Sequence, residues 1–211
     1  MDLHFFGEPD AQTILIQPVD EHDLGFMEKE VSHIRELSST PFSLIACRVP
    51  DWNRDLSPWP APAVFGTEDF GEGASETLSG ILTLCKDDSR TYFIGGYSLA
   101  GLFALWAVHQ TDRFSGVAAA SPFVWFPGFT EYCRSRGIPK TGRIFLSLGD
   151  REDKTRNPVM ATVADRIRDL YDLWKPGIPD CTLVWNEGNH FRDPDIRTAS
   201  AFAWLIRSKN V

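Results

Sequence analysis

Thr91-Tyr92-Phe93-Ile94-Gly95-Gly96-Tyr97-Ser98-Leu99-Ala100-Gly101 is the segment from which the fold is most directly read. Its first five residues favour a strand, and the run from Leu99 to His109 is strongly apolar and helical in composition. Between them the chain turns sharply, with Ser98 at the apex. Small residues stand two before the serine and two and three after it. They let strand and helix approach while the serine takes a strained backbone conformation. Its hydroxyl then projects from the strand end, and the Leu99 amide lies at a helix N-terminus, where the macrodipole favours negative charge. Glycines and a serine also cap ordinary helices. The strand before and the apolar helix after favour a reactive serine here.

Outward from this turn, β-rich runs alternate with helical patterns. Thr13–Gln17 reads as a strand ended by Pro18, and Phe42–Val49 as a second ended by Pro50. Thr91–Gly95 is the third, Phe114–Ala120 the fourth, Arg143–Leu148 the fifth and Thr182–Trp185 the sixth. Helical spacing of Leu24, Met27, Val31, Ile34 and Leu37 predicts a helix over 24–37, and others are expected over 72–86, 99–109 and 159–174. A last helix over 194–207 is expected to take Asp193 as its cap and Pro194 at its first position. Residues 122–140 read as irregular. Six strands separated by helices predict a single α/β domain over 1–211, with a mostly parallel six-stranded sheet covered on both faces. Ligands then sit at the carboxyl ends of the strands, in the loops after residues 17, 49, 96, 120, 149 and 187.

Composition narrows the function classes. A chain of 211 residues and 23.7 kDa should expose about 10,000 Å² when folded and bury about 70% of its unfolded surface. Hydrophobic residues make up 43% and charged residues 24%, ordinary for a globular protein. No apolar run approaches the ~18 residues of a membrane span, and the acidic start Met1-Asp2-Leu3-His4 does not resemble a signal peptide. Net charge is −8, with 17 acidic and 5 basic residues before Arg90. Arg166 and Arg168 alternate with Asp165 and Asp169 on a mixed surface, so a nucleic-acid partner is not expected. Cys47, Cys85, Cys133 and Cys181 form no close pair, which disfavours a metal site and fits free thiols in a reducing, cytoplasmic setting.

A serine hydroxyl needs a base to act as nucleophile. His4, His22 and His33 precede Ser98, and His109 lies in the helix after it. His190 instead follows the last strand, in Trp185-Asn186-Glu187-Gly188-Asn189-His190-Phe191, and should open on the same sheet edge as Ser98. An acid should orient the imidazole. Leu148-Gly149-Asp150-Arg151-Glu152-Asp153 offers three carboxylates, and spacing alone does not choose among them.

On these residues the chain resembles the α/β-hydrolase superfamily over residues 12–207. The Gly96-Tyr97-Ser98-Leu99-Ala100-Gly101 elbow, the Gly149–Asp153 loop and His190 in a Gly-Asn-His-Phe context are most similar to the compact esterase-D and enterochelin-esterase-like branch. The resemblance implies Ser98 as nucleophile, His190 as base and Glu152, three residues after a strand-ending glycine, as acid, with Asp150 and Asp153 in reserve. It implies an oxyanion hole from the Leu99 amide and an amide after the first strand, between Val19 and Glu21, with Val19 taken first. The chain departs from the family at Ala100, where a second glycine is usual. It also has Gln17-Pro18-Val19-Asp20-Glu21-His22 in place of a His-Gly-Gly motif. Residues 122–140 correspond to a short lid-like insertion. Trp52 and Trp125, on loops at the same edge, are expected to line a substrate pocket, a satellite core being the alternative. The activity implied is cofactor-free hydrolysis of a small carboxylic ester or thioester. A non-catalytic binding module of this fold, or an acyltransferase with the same site, are the other readings.

Overall fold

In a computed structural model that describes residues 1–207, seven strands form one sheet in the order β1-β3-β2-β4-β5-β6-β7. They are β1 (Asp2–Gly7), β2 (Thr13–Val19), β3 (Phe42–Arg48), β4 (Thr91–Tyr97), β5 (Phe114–Ala120), β6 (Arg143–Gly149) and β7 (Asp180–Asn186). The expected six correspond to β2–β7 and are mutually parallel. The strand not anticipated is β1, which pairs antiparallel with β3 at the sheet edge. An edge strand needs little apolar burial, and Phe5 within it is 67% exposed, so no alternating pattern marks it. The described chain exposes 9812 Å², close to the expectation from mass.

Adjacent residues along each strand point to opposite faces. Leu15, Leu44, Phe93 and Phe145 face one core with α2 (Met27–Leu37) and α8 (Pro194–Ile206). Ile16, Ile45, Ile94 and Leu146 face the other, with α4 (Ala74–Leu82), α5 (Ser98–Gln110) and α7 (Val163–Trp174). Every residue from Leu99 to His109 in α5 is buried, as its unbroken apolar composition implies. The helix expected over 24–37 is two: α1 (Glu21–Leu24) ends at Gly25, and Phe26 precedes α2. A short α3 (Trp52–Asp55) follows β3.

Two local expectations need correction. Residues 122–140 are not irregular throughout, because α6 (Phe129–Arg136) forms there. Phe126 and Phe129 are buried, and the Trp59 indole N–H donates to the Pro127 carbonyl at 2.9 Å, so this segment is packed down into the core. Asp193 does not cap α8 with its side chain. It lies at φ 52°, in the left-handed region, and the entry relies on Pro194 in the first turn. All four cysteines are free and buried. Among the described residues no helix is long and apolar enough to cross a membrane.

Candidate active site

Ser98 sits where β4 passes directly into α5, at φ 59°. Only close approach of the two elements permits this turn. A Cβ on Gly96 would stand 2.6 Å from the Cβ of Ala100, and one on Gly95 the same distance from the Cβ of Ala118. Ala100 thus takes the family's second glycine position because Gly96 leaves it room. Leu99 belongs to the first turn of α5, where amides have no partner within the helix.

The loop after β7 brings His190 to the serine, with its Nε2 3.1 Å from Ser98 Oγ. The other ring nitrogen, Nδ1, lies 2.8 Å from Oε2 of Glu152, in the loop after β6. The remaining two carboxylates serve elsewhere. Asp150 accepts a hydrogen bond from the Gly188 amide at 2.8 Å, bracing the histidine loop, and Asp153 pairs with Lys154. Gly149 is what folds Glu152 back, since a Cβ there would meet the Gly188 carbonyl oxygen at 2.4 Å and Glu152 at 2.9 Å. Burial by itself would push the Glu152 carboxyl up. The hydrogen bond and charge of His190, with bonds from the Ser121 hydroxyl and the Gly149 amide, outweigh it and hold the acid below its ordinary value.

Three residues that the sequence did not single out complete this arrangement. Ser121 directly follows β5, at φ 45°, and donates to Glu152 Oε1 at 2.7 Å. Arg197, on α8 and 4% exposed, donates through Nη1 to the same oxygen at 2.9 Å and to Ser121 at 3.0 Å. Its Nη2 donates to the carbonyls of Glu187 and Asn189, both at 3.1 Å, and so ties down the loop that carries His190. Tyr97 donates its hydroxyl to the His190 carbonyl at 2.6 Å, and burial pushes the phenol up to about 12, which keeps it a donor. Ser121 had a detectable signal, as it directly follows a strand at the ligand-binding edge.

Ser98 and His190 open into a groove of about 1170 Å³ walled by Trp52, Phe65, Phe70, Phe123 and Phe191. Trp52 lies where expected. Trp125 does not, being 4% exposed and packed behind Phe123 with ring centroids 4.4 Å apart, so it belongs to the core. Val19 is also displaced from its expected place. Pro18 does not end β2, which continues through Val19 in register with Arg48, and Val19 is fully buried with its carbonyl bound by the Val49 amide. The groove edge falls instead at Asp20, whose carboxylate turns away to cap α1 through the Asp23 amide at 2.7 Å. Glu21 likewise turns outward, to Arg48. Among the described residues, no group of three or more His, Cys, Asp or Glu is placed to hold a metal ion.

A parallel sheet with a leading antiparallel strand, a serine elbow after β4, and an acid and a histidine after β6 and β7 define the α/β-hydrolase fold. Solved structures with the same fold include the enterobactin esterase of Shigella flexneri, at 16% identity and a TM-score of 0.64, aligned over 96% of this chain and 54% of that one. The chain therefore spans about half the length of that enzyme. The Pyrococcus furiosus esterase Pf2001 aligns at 11% identity and a TM-score of 0.61, over 94% of this chain and 84% of that one. Acyl-protein thioesterase 2 of Zea mays aligns at 13% identity and a TM-score of 0.58, over 97% and 99%. No protein-family model matches the sequence, and no curated protein matches it.

Proposed function

We propose that this chain is a serine hydrolase that cleaves a small carboxylic ester or thioester through an acyl-enzyme on Ser98. The observation that carries this reading is the continuous chain of contacts Ser98 Oγ–His190 Nε2 and His190 Nδ1–Glu152, at 3.1 and 2.8 Å. Ser98 Oγ attacks the ester carbonyl while His190 takes its proton, and Glu152 steadies the resulting imidazolium. The oxyanion develops beside the Leu99 amide, with the backbone after β2 the second donor by position. His190 then returns the proton to the leaving alcohol or thiol. Water, deprotonated by the same imidazole, releases the acid and restores Ser98. The aromatic groove supports a substrate with an apolar portion. Four free buried thiols support a reducing, cytoplasmic setting.

Intact-mass labelling with a fluorophosphonate tests this directly. A single adduct is expected on Ser98, absent in Ser98→Ala and formed at least tenfold more slowly in His190→Ala. A folded wild type that takes no label would overturn the reading and leave a binding module of hydrolase fold.

A further inference from the structure

A second cavity, of about 230 Å³, lies where β2, α1, α2, the end of β4 and the start of α8 meet. Gln17 and Glu30 line it and are 3% and 4% exposed. Gln17 Nε2 donates to Glu30 Oε2 at 3.3 Å, yet Gln17 Oε1 and Glu30 Oε1 each have no partner. Buried acceptors of this kind are normally satisfied. The charges around them are one-sided. Asp23 and His22 come from α1, Glu30 and Lys29 from α2, Tyr97 from β4 and Asp195 from α8. Lys29 is 59% exposed and held by Asp195 at 2.7 Å, while His22 is exposed and packs edge-on against Phe26. Three carboxylates and an amide oxygen thus share a small cavity whose nearest ammonium is already engaged from outside.

We propose that this cavity binds a small organic ammonium ion, its N–H donors meeting Gln17 Oε1 and Glu30 Oε1 and its alkyl part lying against Phe26 and Phe191. Shape and donor demand agree, since an ammonium offers three donors and no acceptor. Proton balance follows from burial. Desolvation pushes the empty-site Glu30 carboxyl up to about 8 and Asp23 up to about 6, so near neutral pH Glu30 carries a proton. An arriving ammonium stabilises the carboxylate, and that proton leaves to solvent. The site is separate from the Ser98 chemistry, though Phe191 lines both cavities and Tyr97, in the wall of this one, donates to the His190 carbonyl.

Titration calorimetry of the full chain with n-butylammonium and with n-butanol tests the proposal. Butylammonium should bind at least tenfold more tightly than butanol, with a heat that varies with the buffer's ionisation enthalpy. Affinity should climb about tenfold from pH 7 to pH 9, as the ionised fraction of Glu30 goes from roughly a tenth to nine-tenths. Glu30→Gln mimics the protonated carboxyl and should fold, yet lose this pH dependence and bind at least tenfold more weakly at pH 9. Gln17→Met should also weaken binding and serves if Glu30→Gln does not fold. Glu8→Gln, the same charge change at the far end of the sheet, should bind as wild type. Equal binding of amine and alcohol, no binding at millimolar concentration, or wild-type affinity in both pocket variants would overturn it. Fluorophosphonate labelling is unaffected by any of these results, so the hydrolase reading stands or falls separately.

Discussion

Arg197 commits both terminal guanidinium nitrogens to five acceptors, among them Glu152, Ser121 and Tyr97. It is buried and does not line the groove that holds Ser98, so it is a positioning residue. Removing one partner of a buried ion pair costs about 3–5 kcal/mol. Arg197→Met should therefore be much less stable, and should also raise the pH at which acid begins to weaken the fold. Glu152 is held below its ordinary value in the fold, so its contribution to stability is complete above 4.5 and is lost as pH falls through the folded value. Without the neighbouring charge that loss begins at higher pH, and Arg197→Lys should move it part of the way back. The urea midpoint followed through the acid range checks this; an acid dependence unchanged from wild type would mean that Arg197 only packs. In the sequence Arg197 is one more charged residue on a helix. Nothing in its spacing tells a buried clamp from a solvated arginine. Glu152 was narrowed only by the family resemblance, which places the acid three residues after a strand-ending glycine, and the close approach of Gly149 to Gly188 is what gives that offset its use here.

Among the elements, α5 was the most legible, because a helix buried on all sides writes itself as an unbroken apolar run. It carries one ionisable group at its far end. Burial, and then the charge of Arg136, push His109 down to about 4 from 6.5. The unfolded chain takes up this proton first. His109 thus favours the fold fully above 6.5, and that contribution is lost as pH falls toward 4, a swing on the order of 3 kcal/mol. His109→Leu should flatten the dependence of the urea midpoint between pH 7 and 4.5; an equally steep dependence would place the acid sensitivity elsewhere. The strands β2–β6 were legible for the same reason as α5, being buried on both faces, and the half-exposed edge strand β7 by its short run of β-branched and aromatic residues. What escaped reading were elements with little burial or few residues: β1 at the edge, α3, the short α6, and the break between α1 and α2. Trp125 and Val19 escaped for another reason, since their places depend on how far a strand runs and which ring stands in front.

For the molecule as a whole, the uneven charge seen in the sequence reaches the groove. Asp20, Asp51, Glu68 and Asp69 line it, and the guanidinium of its one arginine, Arg54, is held by Asp55 and Glu76. An ester bearing a carboxylate should show kcat/KM about tenfold below its neutral isostere at low salt. The gap should close near 1 M, where the Debye length is about 3 Å; a gap indifferent to salt would point to shape instead. The elbow has a further consequence for the whole chain. Ser98 is held at φ 59°, where a non-glycine residue is strained by about 1 kcal/mol or more. Ser98→Gly should therefore melt higher than Ser98→Ala, although both are inert toward the probe. Relieved of its chemistry, this chain would gain stability by a single drift to glycine. With Ser98 as the proposed nucleophile, the serine marks a position where reactivity and thermal stability pull in opposite directions.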